Sequence, residues 1–124
     1  MKGVTLLELL IVTVILAIMA SVAFPLYLRV ISRSKESEGW VFLTAIRSAE
    51  LRYYDEHEEI FTTTSSQLDL DVTATPFFSY CIRQSAAQNF TAFATPQAAC
   101  GGCRRFCLDN AGTRGEGGAC PSCP

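Results

Sequence analysis

Hydrophobic and polar positions follow a different pattern in each of three parts of the chain, and each pattern predicts its own kind of element. Residues 4–24 form an almost uninterrupted apolar run, whose length matches the ~20 residues that a helix needs to cross a bilayer. Residues 25–55 are amphipathic with helical spacing, and residues 56–124 hold short strand-like runs and a tail rich in Gly and Cys. We therefore predict an α+β fold, with one long N-terminal helix packed on a small antiparallel sheet.

The amphipathic part of the predicted helix carries one apolar stripe. Helical spacing places five side chains on this stripe: Phe42, Ala45, Ile46, Ala49 and Tyr53. Arg47, Glu50 and Arg52 fall outside it. Because the ring of Pro25 removes a backbone hydrogen bond and favours a kink, we predict one helix from about residue 4 to about residue 55, bent near Pro25.

Three later runs predict strands, since they are rich in aromatic and β-branched residues or alternate in polarity. They cover residues 77–82, 90–95 and 105–109. Gly101 and Gly102 lie between the last two runs and suit a tight hairpin turn. Three antiparallel strands cannot bury their apolar face alone, so we expect this three-stranded sheet to pack on the helical stripe.

One charge interrupts the apolar run. Glu8 is the only acid among residues 3–31, and a charge within such a span costs roughly 2.5–3.5 kcal/mol on insertion scales. Its place near the helix start allows snorkelling and some compensation by the helix dipole. No Lys or Arg lies between Lys2 and Arg29, so the chain offers no cationic side chain at that depth. A free α-amino group, created by cutting the chain just before the span, would serve as the partner.

The residues around Glu8 point to such a cut. Lys2 precedes the run GVTLLE at residues 3–8, which resembles the prepilin processing motif: a basic leader ending in Gly, a hydrophobic residue after it, and Glu at the fifth position of the mature chain. The apolar run, Pro25 just past it and the amphipathic helix that follows are also similar to the type IV pilin and pseudopilin family. That family usually has Phe where this chain has Val4.

The resemblance implies a pilin fold and a structural role, with no enzymatic activity and no cofactor. A prepilin peptidase would cut between Gly3 and Val4 and methylate the new Val4 amine. The subunit would wait in the inner membrane, in contact with lipid, until the pilus assembly machinery extracts it into a helical fibre of identical subunits on the cell surface. In that fibre the Val4 amine would pair with Glu8 of a neighbour, and Thr5 and Pro25 complete the residues assigned to assembly.

This interpretation divides the chain into four parts. Residues 1–3 are the leader, residues 4–24 the transmembrane and fibre-core helix, residues 25–55 its amphipathic continuation, and residues 56–124 the exported head with its cysteine-rich tail. Lys2 sets the orientation, because the positively charged end of a span stays cytoplasmic.

Six cysteines lie on the exported side: Cys81, Cys100, Cys103, Cys107, Cys120 and Cys123. An oxidising compartment makes disulfides the default, although spacing alone does not choose among the pairings. Residues 115–124 have almost no apolar side chains, so we expect Cys120 or Cys123 to bond to a cysteine outside this tail. The competing interpretation is a zinc site, because two C-x-x-C pairs suit four-cysteine coordination by Cys100, Cys103, Cys120 and Cys123.

Charge and composition narrow the remaining classes of function. A formal net charge of −2 and a pI of about 5.3 disfavour nucleic-acid binding, and a single His disfavours a His-rich catalytic metal site. A secretory signal peptide is a rival interpretation of residues 4–24, although its apolar core usually spans only about 7–15 residues. Three more classes of protein compete with the pilin: a pseudopilin of a type II secretion system, a minor pilin, and a membrane-anchored redox or zinc module.

Overall fold

The computed structural model describes residues 3–70, 75–86 and 88–123. It starts with one long helix, α1 (Leu6–Glu56), which contains Pro25. Within the described residues four strands follow: β1 (Phe78–Ala86), β2 (Asn89–Pro96), β3 (Phe106–Asp109) and β4 (Arg114–Glu116). Short 3₁₀ turns lie at Ser65–Gln67, Ala98–Cys100 and Gly117–Ala119. The predicted fold class, a long N-terminal helix packed on a small antiparallel sheet, is confirmed.

The chain divides into two compact units, Met1–Ile31 and Ser32–Pro124. The first, which we call the N-terminal unit, consists in its described part of residues 3–5 and the first part of α1. The second, the head unit, contains the rest of α1 and the whole sheet. A single helix therefore contributes to two units with different packing.

The sheet of the head unit is an antiparallel meander in which β1, β2, β3 and β4 follow one another in space. The register of the strands places residues side by side in rows that run across the sheet. One row runs from Ile82 through Ala92 to Leu108, and its side chains are buried towards α1. The next row places Cys81, Phe93, Cys107 and Gly115 side by side. Because neighbouring rows point to opposite faces of a sheet, the two strand cysteines lie on the face away from the helix.

Aromatic rings fill the layer between α1 and the sheet. Phe78, Phe90 and Phe106 are fully buried there, and the Phe106 ring lies 5.0 Å from Trp40 and 5.1 Å from Phe78 between centroids. Gly39 makes this approach possible, since a Cβ at that position would lie 2.6 Å from Phe106 Cε2. The glycine that weakens the helix locally thus allows two buried rings to pack directly against the helix backbone.

The buried stripe of α1 differs from the predicted one. Within the described helix the buried residues are Gly39, Leu43, Ile46, Ala49 and Glu50. Phe42, Ala45 and Tyr53 of the predicted stripe are only half-buried at its flank. The spacing was correct, but the centre of the stripe lies nearer to Leu43, Ile46 and Glu50 than to Phe42 and Tyr53. The close contact at Gly39 turns the helix so that smaller side chains face the sheet.

Two predictions about the sheet were wrong. The sheet has a fourth strand, β4, in the Gly-rich tail, and β2 and β3 are joined by residues 97–105 rather than by a tight turn. Gly101 and Gly102 do adopt positive φ angles of 48° and 89°, but within this longer connection. Gly115 can pair in β4 because it has no side chain, whereas a Cβ there would lie 2.7 Å from Cys107 Sγ.

Candidate assembly site

The start of α1 is capped by Thr5. Its side-chain Oγ1 accepts a hydrogen bond from the backbone N–H of Glu8 at 3.2 Å, and its carbonyl oxygen accepts one from the N–H of Leu9 at 3.2 Å. This is the arrangement of an N-cap threonine, which satisfies backbone donors that a helix start otherwise leaves free. The spacing T-x-x-E at Thr5 and Glu8 is the sequence signature of a capping box. That signature gives Thr5 a structural role at the helix start, which the prepilin motif alone does not supply.

Glu8 occupies the first turn of this capped helix and is exposed. The partial positive charge at the helix N-terminus favours a carboxylate there. Its side chain lies on a surface that is otherwise apolar, because no other acid occurs among residues 3–31. The site therefore offers one anionic group in a fixed position, set within an apolar surface.

That apolar surface is large and has no cover within the N-terminal unit. From Val4 to Val30 the exposed fraction of the large apolar side chains ranges from 49% for Ile11 to 86% for Leu6. The first part of α1 is long and apolar enough to span a membrane. Two hydroxyl groups of this segment form hydrogen bonds within the helix and so do not need water. Thr13 donates to the Leu10 carbonyl oxygen at 2.9 Å, and Ser21 donates to the Ile18 carbonyl oxygen at 2.7 Å.

The residues of the expected cleavage site lie just outside the helix. Gly3 and Val4 precede α1 and are exposed. A Cβ at Gly3 would meet no atom within 4 Å, so packing within the described chain does not require glycine at this position. The third assembly residue, Pro25, lies inside α1, where its missing N–H removes one backbone hydrogen bond.

The described part of the head unit contains a buried acid, Glu50, which the sequence analysis placed outside the apolar stripe. Glu50 is fully buried, and its Oε2 accepts a hydrogen bond from the Thr62 N–H at 3.1 Å. Its Oε1 has no hydrogen-bond partner among the described residues. Burial raises the pKa of this carboxyl from 4.5 to about 7, and the Thr62 hydrogen bond opposes part of that rise. The position was detectable, because Leu43, Ile46 and Glu50 follow the three- and four-residue spacing of one helix face.

The six cysteines, all among the described residues, form three disulfides: Cys81–Cys123, Cys100–Cys103 and Cys107–Cys120. The tail therefore returns to the sheet at two points, once on β1 and once on β3. The Cys123 N–H also donates to Thr95 Oγ1 at 3.1 Å, and the Arg83 guanidinium donates to the Ser122 carbonyl oxygen at 3.4 Å. Phe93 is buried on this side of the sheet, so the tail forms a third layer.

The disulfide pairing separates the four cysteines that would together coordinate a zinc ion. Cys100 and Cys103 bond to each other, while Cys120 and Cys123 each bond to a strand cysteine. A thiolate ligand is not available from a sulfur that is held in a disulfide. In the described part of the chain no group of three or more His, Cys, Asp and Glu side chains is placed to hold a metal ion.

Comparison with known proteins gives a local match at the N-terminus. A family model described as the prokaryotic N-terminal methylation motif matches residues 1–24. The type IV major pilin protein PilA of Myxococcus xanthus (strain DK1622) is 37% identical over 57 residues, which make up 46% of this chain and 26% of that protein. The chain thus spans about a quarter of the length of this curated relative.

Two solved structures resemble about three-quarters of this chain. A type IV pilin from Shewanella oneidensis matches with a TM-score of 0.58 and 18% identity, over 74% of this chain and 99% of that one. The non-core minor pilin PilV of Neisseria meningitidis matches with a TM-score of 0.59 and 24% identity, over 75% of this chain and 93% of that one. At these identities the likeness establishes the fold.

Proposed function

We propose that this chain, a type IV pilin-like protein by its N-terminal methylation motif and its fold, is a structural subunit that polymerises into an extracellular pilus. One observation carries the proposal: the N-terminal unit exposes its large apolar side chains from Val4 to Val30 around a single carboxylate, Glu8. Such a surface is stable in water only when lipid or other protein covers it. Lipid covers it before assembly, and the same segment of neighbouring subunits covers it in the fibre.

Processing supplies the missing charge partner. A prepilin peptidase hydrolyses the peptide bond between Gly3 and Val4 with one water molecule, and a methyl group is then transferred from a sulfonium methyl donor to the released Val4 amine, which gives up a proton. The positively charged Val4 amine lies one helical turn from Glu8 along the chain, at the capped start of α1. In the fibre, the amine of one subunit pairs with the Glu8 carboxylate of a neighbour.

This pairing also fixes how neighbours dock. A carboxylate surrounded by Leu, Ile and Val side chains is strongly disfavoured unless a charge partner accompanies it. A neighbour that packs in another register leaves both charges unpaired at a cost of about 3–5 kcal/mol. The apolar surface supplies the attraction between subunits, and the charge pair selects one arrangement among many similar ones.

The mass of the subunit in purified surface fibres tests the processing step. We expect a chain that lacks residues 1–3 and carries one additional methyl group on Val4. A Gly3→Val variant should keep residues 1–3 and form no fibres, because the peptidase no longer finds glycine before the cut. A wild-type fibre subunit that still begins with Met1, or that begins after Phe24, would contradict the proposal.

Electron microscopy distinguishes the pilus from the pseudopilus. A pseudopilin of a type II secretion system shares the processing motif and the helix but builds a short periplasmic structure. We expect long fibres of this subunit in material sheared from the cell surface. Confinement of the processed subunit to the periplasm would instead support the pseudopilin, and its presence only at fibre tips or in trace amounts would support a minor pilin.

A further inference from the structure

The exposed side of α1 in the head unit carries a shallow groove with a volume of about 620 Å³. Its floor is the helix face at Ser37, Val41 and Thr44, and Trp40 and Arg114 form one wall. Val41 is 68% exposed at the centre of this face. An exposed apolar side chain beside an aromatic ring and a guanidinium group is typical of a surface that receives another chain.

The groove has a net positive character. Arg114 lies 5.0 Å above the Trp40 ring, and Arg33 stands at the N-terminal end of the groove. Neither arginine forms an ion pair within the part of the chain that the structure describes. Glu36 also lines the groove, but Arg104 engages it through an Nε–Oε1 contact of 3.7 Å and a backbone N–H bond of 3.2 Å. Two guanidinium groups are therefore left to attract an anion.

The complementary feature lies at the other end of the same helix. Residues 55–59 include four exposed acids, Asp55, Glu56, Glu58 and Glu59, which we call the acidic turn. Glu58 and Glu59 have positive φ angles of 51° and 60°, a conformation that glycine or asparagine normally adopts. These carboxylates lie at the negative end of the helix dipole, and the last turn of α1 holds no basic residue. The repulsion between these carboxylates decreases when a cationic surface approaches them.

We propose that the groove binds the acidic turn of a second copy of this chain. The inference rests on the proposed polymer, in which every subunit presents both surfaces. Within one subunit the two cannot meet, because residues 33 and 56 are ~35 Å apart along the helix. Between parallel subunits, a displacement of ~35 Å along the helix brings residue 56 of one level with residue 33 of the other, at the N-terminal end of the groove. The acidic turn then faces the Arg33 guanidinium directly.

The chain offers a precise chemical test, because Lys35 is its only lysine beyond Lys2. The Lys35 amine lies outside the groove, where it donates to the Ala99 carbonyl oxygen at 3.1 Å and lies 4.7 Å from the Phe77 ring centroid. The double variant Arg33→Lys/Lys35→Arg moves the only side-chain amine of the processed chain into the groove and keeps the net charge. A water-soluble carbodiimide joins an amine to a carboxylate in direct contact, with loss of water.

Treatment of assembled fibres with carbodiimide, followed by digestion and mass spectrometry, should yield an amide between position 33 and an acid of residues 55–59. The wild-type fibre, with its amine at Lys35, should give this product at a small fraction of that yield. Fibres of the double variant that contain no such link would overturn the inference and leave the proposed function intact. If the wild-type chain forms no fibres at all, the proposed function fails and the inference fails with it.

Charge reversal provides a second test that does not depend on cross-linking. We expect Arg33→Glu to lower the yield of sedimented fibres about fivefold, as the loss of one exposed charge contact predicts. Adding Glu58→Lys and Glu59→Lys to the same chain should restore the yield, because the opposite charges then face each other again. Full assembly of the Arg33→Glu chain, or no recovery in the triple variant, would contradict the contact.

Discussion

The N-terminal unit and the head unit place their apolar side chains in opposite ways. In the former Leu6 is 86% exposed, whereas in the latter Phe78, Phe106 and Leu43 are at most 1% exposed. Both sets include residues of the same helix, α1. The head buries its apolar side chains within one chain, whereas the N-terminal unit leaves its apolar side chains from Val4 to Val30 exposed. Stability should therefore reside in the head, and assembly should depend on the N-terminal unit.

The disulfides also distinguish the two units. All three disulfides lie in the head unit, and two of them hold the tail against the outer face of the sheet. β2 is consequently buried on both faces: Ala92 and Ala94 lie towards α1, and Phe93 lies towards the tail. A small head thereby gains a second packed layer that a Gly-rich tail could not form without cross-links.

The largest expected effect is on assembly, through Glu8. We predict that Glu8→Ala abolishes fibre formation while the subunit still inserts into the membrane, because the neighbour's Val4 amine loses its partner. An uncompensated buried charge costs about 3–5 kcal/mol at every subunit contact. Sedimented fibres and membrane-bound subunit should be quantified together. Glu8→Asp should assemble only in part, since its carboxylate does not reach as far.

A matched variant separates this effect from a general loss of charge. Glu38 lies on the same helix but on the exposed side of the head unit, and Glu38→Ala should leave fibre yield and head stability unchanged. Abundant normal fibres from Glu8→Ala would show that assembly does not depend on the carboxylate of the N-terminal unit.

The next effect is on head stability, through the disulfide that closes the longest loop. Cys81 and Cys123 are 42 residues apart, whereas Cys100 and Cys103 are 3 apart. Loop-closure entropy predicts that Cys81→Ala/Cys123→Ala lowers the free energy of unfolding by about 4 kcal/mol and Cys100→Ala/Cys103→Ala by about 2 kcal/mol. Urea unfolding of the full chain in detergent micelles measures both. Equal losses would show that the tail layer contributes no more than the short cross-link.

Much of this division was predictable from the sequence. The apolar run has no polar face over residues 4–24, and only a membrane or a helix bundle accommodates such a pattern. The prepilin motif assigned processing and assembly roles to Gly3, Val4 and Glu8 without any knowledge of packing, and these roles stay predictions. Local signals were sufficient here because the N-terminal unit is a single helix, and its elements do not depend on contacts with distant residues.

The wrong predictions concern residues whose local structure depends on contacts with residues distant in the sequence. Gly115 has no preference for a strand, and its place in β4 depends on the neighbouring Cys107–Cys120 disulfide and on the lack of a side chain. Glu50 was placed outside the apolar stripe, although its spacing from Ile46 puts it on the buried face. In both cases an intrinsic property of the residue was overridden by the tertiary environment.

The buried Glu50 should make head stability depend on pH. Because burial raises its pKa to about 7 in the folded state, folding takes up a proton between about pH 4.5 and pH 7. The stability that Glu50 contributes is complete below about pH 4.5 and is lost as the pH rises through about 7, by up to about 3 kcal/mol. Glu50→Gln should remove this dependence, whereas Glu38→Gln should retain it. Parallel curves of unfolding free energy against pH for wild type and Glu50→Gln would contradict the assignment.

The smallest effect concerns the contact between α1 and the sheet at Gly39. Alanine is the better helix former by about 1 kcal/mol, so propensity alone predicts that Gly39→Ala stabilises the head. However, the added Cβ would lie 2.6 Å from Phe106 Cε2 and 3.3 Å from Phe78 Cε2. The Phe106 ring cannot move aside freely, because it stacks on Trp40 at 5.0 Å and is fully buried. Overpacking of this kind costs about 1–3 kcal/mol, so we expect a net destabilisation of about 1 kcal/mol. Ser34→Ala, on the exposed side of the same helix, should be neutral or slightly stabilising in the same urea titration. A stabilised Gly39→Ala head would show that the helix–sheet contact is looser than the buried rings indicate.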